Sequence, residues 1–209
     1  MIDSHISDIK WMKRAIYLAS LGKGRTSPNP MVGAVILDKN GNLISEGFHS
    51  KSGMPHAEAM AFNNLKKDAR DGTIYVNLEP CCHQGKTPPC VDKIISFGIK
   101  KVFVSIEDPD KRVSGKGIKL LKDAGIKVHL GLCEKESQEL NKSFIHRNIT
   151  DNAFGVMKWA MSMDGRVGLK NGKSKWITNK DSRSLVHSFR ACFDAIVIGG
   201  NTLRKDDPL

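Results

Sequence analysis

The segment HAEAM, at residues 56–60, places a histidine two residues before a glutamate in a stretch that otherwise favours a helix. A histidine ring nitrogen can bind a metal ion, and a glutamate can carry a proton. Such a pair alone is common on protein surfaces. His56 and Glu58 therefore predict a catalytic site only if further metal ligands follow along the chain.

Three of the five cysteines lie within ten residues, in the segment CCHQGKTPPC (81–90). Because the N-terminal residues do not resemble a secretion signal, we interpret this cluster as metal-binding or catalytic rather than as disulfides. Cys81 and Cys90 lie near a predicted strand end and a predicted helix start, where thiolates are stabilised. His56, Cys81 and Cys90 would supply the three protein ligands of a catalytic zinc ion, with water as the fourth.

Glu58 is the predicted proton carrier of this site. Zinc lowers the pKa of its water toward neutrality, and Glu58 would move protons from that water to a ring nitrogen and to a departing amine. Zinc deaminases typically carry His-x-Glu followed by Pro-Cys-x-x-Cys. Here position 84 is glutamine, so Cys90 becomes the next ligand and the cysteine spacing is C-x₈-C. The predicted reaction is hydrolytic deamination of an amino-substituted ring.

The periodic patterns of apolar residues predict the helices and strands that position these side chains. They predict a helix over 8–21, a hairpin of strands 31–38 and 43–48, helices over 56–67, 91–98, 117–125 and 134–149, and strands over 73–80, 101–108 and 126–132. This order predicts an α/β domain over residues 1–150, with a mixed sheet between layers of helices.

Residues 151–209 predict the start of a second domain. A strand with a turn at Asp164–Gly165 is predicted over 154–169, a helix over 179–193 with Asn179 as its cap, and a buried strand over 195–200 that opens into a glycine turn. A segment of this length can bury only a marginal core by itself.

The chain of 209 residues carries a net charge of +11, which is spread over its length. Residues 1–150 contribute 23 basic and 16 acidic side chains, and residues 151–209 contribute 10 and 6. A spread charge suits a basic surface or a small phosphorylated substrate better than a nucleic acid. The longest apolar run is too short to span a bilayer. We therefore predict a cytoplasmic protein that binds neither a membrane nor a nucleic acid.

Four segments together resemble the deaminase domain of the bifunctional riboflavin-biosynthesis deaminase/reductases: PNPMVGAV (28–35), GFHSKSGMPHAEAMA (47–61), LEPCCHQGKTPPC (78–90) and EDPDKRVSGKG (107–117). The resemblance implies a three-layer α/β/α cytidine-deaminase-like domain. It also implies deamination of 2,5-diamino-6-ribosylamino-4(3H)-pyrimidinone 5′-phosphate, with one zinc ion on His56, Cys81 and Cys90 and with Glu58 as the proton shuttle. The implied substrate contacts are Asn29, His49, Lys86 and Thr87.

The remaining residues resemble the opening of the family's reductase domain, in KWAMSMDGRVG (158–168), SKWIT (174–178) and GGNTLRKDDPL (199–209). That domain is similar to dihydrofolate reductase and uses NADPH. By position, the resemblance implies cofactor contacts at Ala160, Trp176, Thr202 and Asp206, and substrate contacts at Ser174, Arg190 and Leu209. Since the family's chain continues past this point, we expect a truncated reductase domain and NADPH binding only in a complete one. The family also forms homo-oligomers through this domain.

Two alternatives stay open from the residues themselves. A zinc deaminase acting on a nucleic-acid base, such as tRNA adenosine, would draw on the basic charge. A purely structural zinc module would need a fourth protein ligand, for which Cys82 and His83 are the candidates. In such a module Glu58 would have no chemical role.

Overall fold

A computed structural model describes residues 2–83, 88–111 and 113–206 of the chain. The chain forms two compact units, Met1–Phe154 and Gly155–Leu209. The helices of the first unit are α1 (Ile2–Ser20), α2 (Ala57–Asn63), α3 (Cys90–Ser96), α4 (Lys116–Asp123), α5 (Glu134–Leu140) and α6 (Lys142–Thr150). Its strands are β1 (Gly33–Leu37), β2 (Leu43–Phe48), β3 (Thr73–Leu78), β4 (Lys101–Ile106) and β5 (Lys127–Leu130).

The strands form one sheet in the order β2-β1-β3-β4-β5. β1 pairs antiparallel with β2 and with β3, whereas β3, β4 and β5 are parallel. The predicted hairpin and the predicted mixed sheet are therefore confirmed. Each predicted strand of this unit is present, with ends that differ by a few residues from the predicted ones.

Helices cover both faces of the sheet, because the strands carry apolar side chains on both faces. Ala34 and Ile36 of β1 point into one cluster with residues of α2, α3 and α4. Val35 and Leu37 point into the opposite cluster with α1, which α5 also contacts. Alternate side chains of a strand point to opposite faces, so β1 is apolar throughout and the unit has three layers.

The strand directions bring distant loops to one edge of the sheet. Gly33 at the start of β1 lies opposite Phe48 at the end of β2. β1 also runs against β3, so its start lies near the end of β3. The loop before β1, the residue after β2 and the segment after β3 therefore meet at a single edge.

The predicted helix over 134–149 is wrong in one respect, because the structure divides it into α5 and α6 at Asn141. Asn141 has φ −103° and ψ 18°, outside the helical range. Its side chain is buried and binds the backbone of Met31 instead of facing solvent.

The second unit contains α7 (Lys180–Arg190) and α8 (Gly200–Asp206). The predicted cap is confirmed, since Asn179 accepts a hydrogen bond of 2.8 Å from the Ser182 backbone N–H. The turn at Asp164–Gly165 is confirmed by a hydrogen bond of 3.0 Å from Gly165 N–H to the Ser162 carbonyl.

Both predicted strands of the second unit are wrong, because residues 155–206 form no strand. The apolar residues expected in a buried strand over 195–200 are exposed, and Val197 is 94% exposed. Gly200 begins α8 instead of a plain turn. A strand needs a neighbour for its backbone N–H and C=O groups, and the described residues of this unit offer none. Throughout the described part of the chain, every helix is too short or too polar to cross a membrane.

Candidate active site

The structure brings His56, Cys81 and Cys90 together at the loop-bearing edge of the sheet. His56 directly precedes α2, Cys81 follows β3, and Cys90 is the first residue of α3. His56 Nδ1 lies 3.5 Å from Cys81 Sγ and 3.4 Å from Cys90 Sγ. The three ligand atoms all lie within 4.8 Å of one another.

This spacing fits a tetrahedral zinc ion. Zn–S bonds of about 2.3 Å and Zn–N bonds of about 2.0–2.1 Å at tetrahedral angles separate a nitrogen from a sulfur ligand by about 3.5 Å. The two nitrogen–sulfur distances at this site agree with that value. One imidazole and two thiols are also a donor set that zinc prefers.

The hydrogen bonds within the cluster favour a thiolate. The pKa of Cys81 is lowered, first because the Cys90 thiol donates to its sulfur and then because His56 does. The backbone N–H of Cys90 also points at Cys81 Sγ, at 3.4 Å. The pKa of Cys90 is raised in turn, because Cys90 donates to Cys81 and is buried. Since the thiolate is the form that binds zinc, the cluster already stabilises one such ligand.

Glu58 lies in the first turn of α2, beside the cluster, and is 3% exposed. Burial raises its pKa to about 7, and the negative charge of Cys81 adds to this effect. Its carboxyl group also contacts the Cys90 thiol. A carboxyl group with a pKa near neutrality can both accept and release a proton during a reaction.

Asn29 and His49 form a hydrogen-bonded pair next to the ligands. Pro55 has only a carbonyl oxygen to offer to His49 Nδ1, at 3.0 Å, so Nδ1 carries the hydrogen. Burial lowers the pKa of His49, which favours the neutral ring. His49 Nε2 is then an acceptor, and Asn29 Nδ2 donates to it over 3.1 Å. The His49 ring stands edge-on to His56, with 5.9 Å between centroids.

The cluster has three protein ligands among the residues that the structure describes. Cys82 is partly buried against the core, and the His83 side chain is exposed. Neither belongs to the ligand cluster. Lys86 and Thr87, predicted as substrate contacts, lie outside the described residues.

Three buried polar residues that the sequence analysis missed support the site. Asn77, in β3, accepts from the Gly33 N–H at 2.8 Å and donates to the Met31 carbonyl at 3.0 Å. Asn141, which lies 110 residues later in the sequence, binds the backbone of the same Met31. An asparagine inside an apolar strand such as TIYVNL was a usable signal, because buried amides must be hydrogen-bonded.

Glu79 is the third of these residues, two positions before Cys81. Its carboxylate accepts from the backbone N–H groups of Asp108, Gly115 and Ile118, at 3.2, 2.8 and 3.1 Å. It thereby fastens the segment before α4 to the end of β3. The position of Glu79 beside Pro80 gave no signal that its side chain is buried.

The described residues that are predicted for the reductase are mostly exposed in the second unit. Ala160 is half-buried, whereas the side chains of Trp176, Thr202, Ser174 and Arg190 are exposed. No hydrogen bond or ring contact within residues 155–205 joins any two of them. The Trp176 ring instead faces the Arg183 guanidinium, at 4.1 Å. The Asp206 side chain and Leu209 lie outside the described part of the chain.

Comparison with known proteins identifies two family regions in the chain. Residues 5–106 match the zinc-binding region of cytidine and deoxycytidylate deaminases, and residues 153–209 match the RibD C-terminal domain. The riboflavin biosynthesis protein RibD of Aquifex aeolicus is 46% identical over 201 residues, which cover 96% of this chain and 56% of that protein.

Solved structures give the same result. The diaminohydroxyphosphoribosylaminopyrimidine deaminase/5-amino-6-(5-phosphoribosylamino)uracil reductase of Thermotoga maritima is 43% identical, with a TM-score of 0.93 over 98% of this chain and 59% of its own. Acinetobacter baumannii RibD is 43% identical, with a TM-score of 0.91 over 98% of this chain and 57% of its own. The expected cytidine-deaminase-like fold is confirmed, and the chain spans just over half the length of these relatives.

Proposed function

Because this chain belongs to the RibD family of riboflavin-biosynthesis proteins, we propose that it deaminates 2,5-diamino-6-ribosylamino-4(3H)-pyrimidinone 5′-phosphate by hydrolysis. The observation that carries the proposal is the convergence of His56, Cys81 and Cys90 beside the buried carboxyl group of Glu58. Three ligands leave a tetrahedral metal one open position, which hydrolysis needs and a structural zinc does not.

His56, Cys81 and Cys90 are the proposed zinc ligands. A bound zinc ion would lower the pKa of a water molecule toward neutrality and so make it a nucleophile at physiological pH. The cluster suits this task because its hydrogen bonds already lower the pKa of the Cys81 thiol. The ion would take over the charge stabilisation that the Cys90 and His56 donors provide.

Glu58 is the proposed proton shuttle. It takes one proton from the attacking water and gives it to the ring nitrogen, and then takes the second proton from the added hydroxyl group and gives it to the amino group that leaves as ammonia. Its pKa of about 7, raised by burial, supports both directions of transfer. The positive charge of a bound zinc ion would lower this pKa and favour the carboxylate that accepts the first proton.

Asn29 and His49 are the proposed contacts of the pyrimidine ring. Their hydrogen bond fixes the direction of the Asn29 amide, so that its oxygen is available to an amino group of the substrate. Lys86 and Thr87 are proposed contacts of the ribosyl phosphate. The partner is therefore a small phosphorylated pyrimidine and not a nucleic acid.

For the second region, the match to the RibD C-terminal domain supports a cofactor role. We propose that residues 1–150 and 151–209 belong to separate domains, and that the latter belongs to an NADPH-dependent reductase domain. Ala160, Trp176, Thr202 and Asp206 would face the cofactor there, and Ser174, Arg190 and Leu209 the substrate. Association of copies through this region, and a cytoplasmic location, belong to the same proposal.

The substitution Glu58→Gln tests the deaminase proposal. The glutamine keeps the shape of the side chain and cannot carry the proton. We expect about one zinc per chain, as in the parent, and a loss of turnover of at least ~100-fold. Glu46→Gln is the control, because among the described residues the Glu46 carboxylate pairs with the Arg14 guanidinium and is not part of the ligand cluster. Parental turnover in Glu58→Gln would contradict the mechanism.

A further inference from the structure

Two asparagine side chains hold the backbone of Met31. Asn141 Oδ1 accepts from the Met31 N–H at 2.8 Å, and Asn141 Nδ2 donates to the Met31 carbonyl at 2.9 Å. Asn77 Nδ2 donates to the same carbonyl at 3.0 Å. Both side chains are buried, and Asn141 is 1% exposed. Asn141 thus reaches across 110 residues of sequence to bind a single residue.

Met31 ends the segment Pro28-Asn29-Pro30-Met31, which has few backbone N–H groups that could fix its conformation. Proline has no backbone N–H, so only Asn29 and Met31 can donate from this backbone. Asn29 N–H bonds to the Thr26 carbonyl at 2.8 Å, and Met31 N–H bonds to Asn141. Half of the segment's backbone donors therefore depend on Asn141.

The beginning of the segment is tied to the same helical region. Arg147 Nη2, in α6, donates to the Pro28 carbonyl at 3.0 Å. Asn141, at the junction of α5 and α6, holds the other end. Asn29 lies between these two attachments, and its side chain reaches His49. The interruption of the helix at Asn141 turns the Asn141 side chain inward, onto the loop that carries Asn29.

Asn141 differs from Asn77 in what else it supports. Asn77 also accepts from the Gly33 N–H inside the sheet, so its loss would disturb β1 and β3. The side-chain hydrogen bonds of Asn141 go to Met31 alone among the described residues. Its contribution to the site can therefore be separated from its contribution to the sheet.

We propose that Asn141 is a positioning residue of the deaminase site, which acts through Met31 to keep Asn29 hydrogen-bonded to His49 and aimed at the substrate. The inference rests on the proposed deaminase function. Asn141 itself touches neither the zinc ligands nor the reacting ring. Its loss should weaken substrate binding and leave metal binding and the proton shuttle intact.

A double-mutant cycle tests whether Asn141 acts through Asn29. In the full chain, Asn141→Ala should raise KM about tenfold and change kcat less than about twofold. In an Asn29→Ala background the same substitution should add less than about a twofold effect on kcat/KM. If the two losses multiply, Asn141 acts on stability or elsewhere, and the proposal is wrong.

Asn148→Ala is the matched control. Asn148 lies in α6, is half-buried, and donates a side-chain hydrogen bond to the Phe144 carbonyl at 2.9 Å. It loses the same kind of contact without touching Met31, so its KM should equal that of the parent. If Asn141→Ala fails to fold, Asn141→Asp keeps the shape and the acceptor for the Met31 N–H, and replaces the donor to the Met31 carbonyl by an acceptor that opposes it. It should raise KM in the same direction, and an unchanged KM would count against the proposal.

The ¹⁵N spectrum of the His49 ring gives a readout that needs no turnover. In the zinc-loaded parent, Nε2 should show the shift of a hydrogen-bonded acceptor. That shift should move toward a free acceptor in Asn141→Ala and stay unchanged in Asn148→Ala. A chain that lacks deaminase activity would refute the proposed function, while this spectrum would still decide whether Asn141 positions Asn29. An unchanged Nε2 shift in Asn141→Ala would refute the positioning role.

Discussion

Asn29 Nδ2 donates a hydrogen bond of 3.1 Å to His49 Nε2, although the two residues lie in different loops twenty positions apart. The antiparallel pairing of β1 with β2 brings the loops together, because the start of one strand faces the end of the other. The Pro55 carbonyl fixes the opposite ring nitrogen as a donor. His49 therefore accepts from an amide and cannot exchange that partner for an acceptor without changing its tautomer or its charge.

The substitution Asn29→Asp tests this relationship. Aspartate has the shape of asparagine but no N–H to donate to His49 Nε2, so the pair would place two acceptors against each other. We expect kcat/KM for the diaminopyrimidine phosphate to fall at least ~10-fold, since a lost hydrogen bond to a buried group costs about 1–3 kcal/mol. Zinc content should stay at the parental value. Asn40→Asp, in the exposed turn between β1 and β2, should have no effect on either quantity. Equal kcat/KM values for Asn29→Asp and the parent would remove Asn29 from the site.

The cysteines provide a second test, because neighbours in sequence have different environments. Cys81→Ser and Cys90→Ser should each lose most of the bound zinc, since each removes one of three ligands. Cys82→Ser should retain about one zinc per chain, because Cys82 packs against the core and lies outside the cluster. Metal analysis after gel filtration measures the content. Loss of zinc in Cys82→Ser would revive a closed, four-ligand structural site.

The positions of the ligands follow from patterns that a sequence displays. His56 and Cys90 begin helices and Cys81 follows a strand, and these boundaries are readable from the change in apolar period. The supporting residues are less readable, because the partners of Glu79 and Asn141 are backbone groups 29 to 110 positions away. No local pattern records such a partner.

In residues 151–209, local signals predict the helix correctly and the strands wrongly. The helix and its cap were predicted correctly because an asparagine cap and a helical period are local signals. The apolar run over 195–200 has strand propensity but no neighbouring strand within the described residues, and a strand exists only when its backbone is paired. Propensity alone therefore gave the wrong element there.

The close packing of α4 against Glu79 and Pro80, which directly precede Cys81, gives a third prediction. A methyl group at Gly117 would lie 2.3 Å from the Pro80 carbonyl oxygen and 3.2 Å from Glu79 Oε1. Gly117→Ala should lower the free energy of unfolding by about 1–3 kcal/mol through overpacking. It should also reduce zinc retention, because Pro80 directly precedes Cys81. Gly155→Ala is the control, since nothing lies within 4 Å of the added carbon there.

Urea unfolding with both glycine variants measures the difference. Gly155→Ala should have the midpoint of the parent, whereas Gly117→Ala should unfold at a lower urea concentration with a similar slope. Equal midpoints for the two variants would mean that α4 moves away from Pro80 at little cost in free energy. The position of Cys81 would then not depend on this contact.

The choice between a small substrate and a nucleic acid can be tested by salt. Glu58, His49 and Cys90 are all nearly buried, so a base within a folded RNA would have to leave its stack to reach them. The net charge of +11 is spread along the chain and does not itself predict a phosphate-binding track. A tRNA deaminase would lose affinity steeply between about 50 and 200 mM salt as counterions are released. We expect the KM for the diaminopyrimidine phosphate to change less than about threefold over that range, and excess tRNA to leave the rate unaltered. Competitive inhibition by tRNA that disappears at high salt would favour the nucleic-acid alternative, because only a polyanion that shares the site would show both effects.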